Sequence, residues 1–197
     1  RYDLVQTLPL TDAVIPLAEG IFVQYIDRDV MFVRHQAKAA NVVAQVYAVG
    51  LDIGVTGVPE QIRGFIAADV TVRGKTWRVV GTHPEPSWPA LGETPQITEL
   101  VNAVANETRP VIIAGDLNLE PGSPEYAQLA AAGFADLYLE RQGRSLDGLT
   151  CCHSDPGLRN PEPDFTKRID YVLARPGQGM RLGPVLLELF GDDQRER

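Results

Sequence analysis

Cysteine, cationic charge and long apolar runs are all scarce in this chain, and each scarcity removes a class of protein. Its two cysteines, Cys151 and Cys152, are adjacent, so neither a disulfide framework nor a metal pair of conventional spacing can be built from them. Two packed thiols are the expectation, with a bond between the neighbours as the alternative in an oxidising compartment. Lys and Arg number 18 against 26 Asp and Glu, for a formal net charge of −8. A protein that grips nucleic acid through its phosphates usually presents cations in excess. This composition disfavours a general nucleic-acid surface, although a local basic patch or a bound divalent cation can offset the field. No apolar run approaches the roughly 18 residues needed to span a bilayer, and no signal peptide is visible. A soluble chain is expected, cytoplasmic or exported. Residues 50–57 are Gly-rich but lack the following helix and the Lys-Ser/Thr pair of a phosphate-cradling loop.

What is present is ordinary for a globular protein: 44% hydrophobic and 22% charged residues, in a length that suits one domain or most of one. Pro9 and Pro16 break residues 1–20 into what reads as an irregular connection. Residues 27–34 and 41–49 read as strands, the second with Val42, Ala44, Val46 and Ala48 on one face. His35 is expected at an edge, in solvent. Residues 65–73 and 76–80 form the clearest hairpin, turning at Gly74, with Ile66, Ala68, Val70 and Val72 on one face. The loop beyond it is rich in proline and carries Trp88. Thr94-Pro95 then gives a cap and a proline start for a helix with Ile97, Leu100, Val101 and Val104 at helical spacing. A loop covering most of 140–165 holds His153, which has no evident ligand partner. A final strand is expected over 184–190 and a charged tail over 192–197.

The polar groups that interrupt this pattern fall at strand ends. Val111-Ile112-Ile113 reads as a strand buried on both faces, followed by Gly115-Asp116-Leu117-Asn118. If extended geometry persists through Leu117, Asp116 and Asn118 point the same way, a carboxylate and an amide aimed at one spot. The competing reading is an ordinary turn, since Asp and Asn bond their own backbone. Ser123-Pro124 then starts a helix that runs to about Ala132 and stops at Gly133. Arg78-Val79-Val80-Gly81-Thr82 is a strand that delivers His83 at its end. Residues 168–174 alternate, with Arg168, Asp170 and Val172 on one face. An Asp there must be paired or hydrogen-bonded, and a salt bridge to Arg168 or another cation would suffice.

Thr82-His83-Pro84-Glu85, Gly115-Asp116-Leu117-Asn118 and Arg168-Ile169-Asp170-Tyr171-Val172, in this order, resemble the endonuclease/exonuclease/phosphatase superfamily of metal-dependent phosphoesterases. The resemblance implies an α/β fold, a two-sheet β-sandwich flanked by helices in four layers, which suits the early hairpin and the later strand-helix alternation. It also implies hydrolysis of a phosphodiester or phosphomonoester by activated water, assisted by Mg²⁺ or Mn²⁺. Carried over, Asp116 would be the general base and a candidate metal ligand. Asn118 and His83 would bind phosphate oxygens, Asp170 would orient a further histidine, and Glu85 would support the site. The family has Leu where this chain has Pro84. Its opening strands with a metal-binding Glu, and its closing Ser-Asp-His, are not among these residues, so residues 1–197 are expected to be a single domain cut at both ends. A phosphoester substrate is the expected partner, with nucleic acid disfavoured by charge. A catalytically incomplete binding module and a nuclease are the alternatives. Substrate and oligomeric state are not legible.

Overall fold

The computed structural model describes residues 1–50, 60–86, 95–140, 148–154 and 164–185. Among them two antiparallel strands, β1 (Tyr2–Ala18) and β2 (Ile21–Arg34), form a long hairpin. The remaining strands are β3 (Lys38–Val46), β4 (Gly64–Val72), β5 (Lys75–Thr82), β6 (Val111–Asp116), β7 (Ala135–Asp136) and β8 (Asp170–Arg175). They make a six-stranded mixed sheet in the order β3-β4-β5-β6-β8-β7, in which only β5 and β6 run parallel. The fold is an α/β sandwich type with two sheets, as expected, and the helices α1 (Pro95–Ala103), α2 (Pro124–Ala131) and α3 (Leu137–Glu140) lie between strands of the larger sheet in sequence.

The first twenty residues correct the sequence reading. They are not an irregular connection but the outer strand of the hairpin, paired from Tyr2↔Arg34 to Ala18↔Ile21. Proline lacks the N–H that a ladder needs, so it is tolerated at edges and bulges. The register slips between Pro9 and Asp12 and again between Pro16 and Ala18, which places both prolines beside irregularities of the ladder.

The core lies on one face of the central strands. Val111 and Ile113 of β6 and Leu173 of β8 meet Ile97, Leu100 and Leu129 from the two longer helices. The helix starts are built as their sequences require: the Ser123 hydroxyl accepts from Tyr126 N at 3.2 Å, and Pro124 opens the helix, where a missing N–H costs nothing. Gly133, at φ +87°, lies just past its end. On the other strand edge, buried Asp69 receives Asn41 at 2.6 Å, Arg78 at 3.0 Å and Arg109, a charge paired as burial demands.

The expectations for residues 50–57, Trp88 and 192–197 fall largely or wholly outside the described residues, as does most of the strand expected over 184–190. The cysteines are not packed thiols: Cys151 and Cys152 are bonded to each other. Cys151 also pairs by backbone with Lys167, donating to its carbonyl at 3.0 Å. Among the described residues no helix is long and apolar enough to cross a membrane.

Candidate active site

The site is assembled by the one parallel strand pair. In the β5–β6 ladder Gly81 lies opposite Ala114, so the next residues outward bring His83 alongside Asp116 at the carboxyl ends of both strands. Parallel strands leave their ligand-binding groups at that end. The approach is close enough to dictate residue type: a Cβ on Gly115, at φ +150°, would stand 2.0 Å from the Thr82 carbonyl oxygen. Only glycine allows it. His83 Nε2 is 3.7 Å from Asp116 Oδ2, both side chains about one-third exposed.

Asn118 arrives by a different route from the one its spacing suggested. Its φ is +51°, so the extended geometry ends before it. Its backbone N–H donates to Asp116 Oδ1 at 2.9 Å, which is the Asp-Asn turn of the competing reading. The turn nevertheless keeps the amide in the site, because Asn118 Nδ2 donates to the Pro84 carbonyl at 2.9 Å and ties the two loops together. Buried Leu117 and Leu119 anchor the loop from below, and the Tyr171 hydroxyl donates to the carbonyl of Leu119.

Asp170 lies opposite Asp116 in the antiparallel β6–β8 ladder. It is exposed, which is how the strand tolerates it, and the expected bridge to Arg168 is not made. Arg168 precedes the strand and is buried, donating to Asp136 Oδ2 at 2.6 Å beneath the rings of Tyr138 and Tyr171. Thr150 Oγ1 instead accepts from the backbone N–H groups of Ile169 and Asp170 at 3.2 and 3.1 Å, fixing the start of β8. Burial pushes the Asp116 carboxyl above its ordinary pKa and the Asp170 charge adds to this, while the Asn118 N–H and His83 act in the opposite sense. A carboxyl raised in this way is a stronger base than an ordinary aspartate.

Three other residues find structural partners. Glu85 is buried against Arg63, and its backbone N–H donates to Gln96 Oε1 at 2.8 Å. His153 binds Asp164 at 3.0 Å and packs on Phe165, and His35 sits in solvent with Asp3 at 2.8 Å. Sequence reading missed Arg63, whose Nη1 reaches Asp27 at 2.8 Å and stands 3.3 Å from His83 Nδ1. The one signal was an arginine immediately before an apolar run.

Comparison with known proteins decides the family. A model of the endonuclease/exonuclease/phosphatase family matches residues 16–191. The chain belongs to that family. Members of it are generally dependent on a divalent metal. Solved structures of similar fold include an endonuclease/exonuclease/phosphatase family protein from Leptotrichia buccalis, 15% identical with a TM-score of 0.54, where 90% of this chain covers 60% of that one. A mannosyl-6-phosphatase from Bacteroides thetaiotaomicron is 14% identical at TM-score 0.58, covering 89% of this chain and 63% of its own. A humanized TDP2 of D. rerio carrying 14 mutations is 18% identical at TM-score 0.53, with shares of 76% and 57%. This chain thus spans about three-fifths of the length of each. No protein in the curated set matches it.

The donor set bears on the metal. Among the described residues no three of His, Cys, Asp and Glu stand together as a cation cage. Asp116 and Asp170 do offer neighbouring carboxylates. That fits a hard cation of the Mg²⁺ kind, which takes one or two carboxylates and completes its shell with water and substrate phosphate.

Proposed function

We propose that this family member hydrolyses a phosphoester, a phosphodiester or a phosphomonoester, with water as nucleophile. The observation that carries the reading is the convergence of His83, Asp116 and Asn118 at the ends of β5 and β6. Asp116 is the group that takes the proton of the attacking water, its basicity raised by burial. Asn118 holds its loop through one amide hydrogen to Pro84 and keeps the other for a non-bridging phosphate oxygen. His83, 3.7 Å from Asp116, meets the same phosphate. Asp116 and Asp170 would hold Mg²⁺ or Mn²⁺, and the bound cation would neutralise charge as it develops on the phosphoryl oxygens. Asp170 would in addition orient a histidine supplied from outside these residues. The 197 residues are read as a single domain that binds the cation weakly and turns over slowly by itself.

Replacing Asp116 by Asn tests this. Hydrolysis of bis-p-nitrophenyl phosphate or p-nitrophenyl phosphate by the purified protein with Mg²⁺ is expected to fall by about 10²-fold or more. Unchanged turnover in D116N overturns the assignment. A protein that binds a phosphoester equally well with and without the substitution, and never hydrolyses it, is a binding module instead. The net charge of −8 argues against a nuclease. Steep loss of single-stranded DNA binding with added salt would reverse that judgement.

A further inference from the structure

Arg63 stands just before β4, and His83 just after β5. The register pairs Phe65 with Thr82, and the Thr82 hydroxyl donates to the Gly64 carbonyl at 2.8 Å. Tyr47 adds a second clamp, its hydroxyl 2.7 Å from the same Thr82 oxygen. The two residues therefore leave neighbouring strands side by side. Arg63 is 8% exposed, and its guanidinium is held on two sides, by Glu85 at Nε and by Asp27 at Nη1. Its orientation is set by groups outside the catalytic cluster.

A guanidinium only donates hydrogen bonds and has no acceptor. Nη1 carries two hydrogens; one serves Asp27 at 2.8 Å, and the other faces His83 Nδ1 at 3.3 Å. For that contact to be attractive, Nδ1 must present its lone pair, and the ring proton must sit on Nε2. Nε2 is the nitrogen turned toward Asp116. The opposite tautomer would set N–H against N–H at Arg63 and a lone pair against carboxylate oxygen at Asp116. Both neighbours reject it for independent reasons.

We infer that Arg63 is a positioning residue that holds His83 in the Nε2–H tautomer, so that the imidazole offers the site a hydrogen-bond donor and not a base. This rests on the hydrolase reading for its consequence and refines it. His83 would then donate to an ionised phosphoryl oxygen, and proton abstraction would be left to Asp116 alone. The sequence cannot show this, because the tautomer of a histidine is set by what its far nitrogen touches.

Long-range ¹H–¹⁵N spectra of the histidine rings at neutral pH test it, with the His83 signals identified by their loss in H83Q. The native protein is expected to show His83 Nδ1 at the shift of an unprotonated nitrogen and Nε2 at that of a protonated one. In R63Q, whose side chain is too short to reach, the two shifts should move toward the average of exchanging tautomers while amide signals away from Arg63 stay in place. A proton on Nδ1 in the native protein overturns the inference, and so does a His83 pattern unchanged in R63Q. Should R63Q fail to fold, the native shifts decide alone, and a proton on His83 Nδ1 there overturns the inference. The readout needs no substrate. Loss of the hydrolase reading would leave it intact, and its own failure would leave D116N hydrolysis to be judged separately.

Discussion

On one face of the central sheet Val111, Ile113 and Leu173 are sealed beneath α1 and α2, none more than 2% exposed; on the other, Val172, next along the same strand, is 42% exposed. The hairpin repeats the open condition, with Phe22 at 64% and Leu17 at 66%. β2 and the central strands enclose an open cleft of about 280 Å³ between Asp29, Met31, Val80 and Ala114. The apolar runs in β6 and β8 are of the kind that fills both faces of a sheet. The contrast teaches that such a run reports what a strand is able to bury, and that a helix must be present before it does so.

Truncation variants break this comparison if the two faces respond alike. I113A removes atoms from a sealed position and is expected to cost about 2–5 kcal/mol in urea unfolding. Asp29 sits on the open side yet has a buried Oδ2 with no hydrogen-bond partner among the described residues. Burial first, then repulsion from Asp27, raises its pKa to about 6 from 3.8. A carboxyl that holds its proton more tightly when folded makes the folded state lose stability as pH rises from about 4 to about 6. D29N should flatten that part of the stability–pH curve and unfold at higher urea than the native protein at pH 7; an unchanged curve refutes the assignment. S123A deletes a single cap bond and should cost about 1 kcal/mol. V172A, on the open face, should fall within about 0.5 kcal/mol of the native protein. A V172A cost comparable to that of I113A would mean that this face is covered in solution.

The same contrast explains how far the sequence could be read. Strands, helices and caps were legible where local chemistry and burial agree, as at Ser123-Pro124 and in the hairpin around Gly74. Residues 1–20 were not, because proline in an edge strand sends the same signal as proline in a loop, and only the partner strand distinguishes them. His83, Asp116 and Asn118 were legible as a group since each lies at or just past the end of a strand. The way Asn118 reaches the site was not, for its left-handed backbone follows from a bond to Asp116 that spacing cannot reveal. Arg63 and the Arg168–Asp136 pair depend wholly on which loops meet in space. In both cases an arginine near an apolar run gave no hint of its partner.

The bond between Cys151 and Cys152 has a use outside the site. Cys152 is exposed, so the bond stands open to any dithiol in its surroundings, and disulfides endure only where the medium is oxidising. The oxidised chain is lighter than the reduced one by two hydrogen atoms. Protein drawn unreduced from its native setting would therefore carry, in its intact mass, a record of the compartment in which it matured.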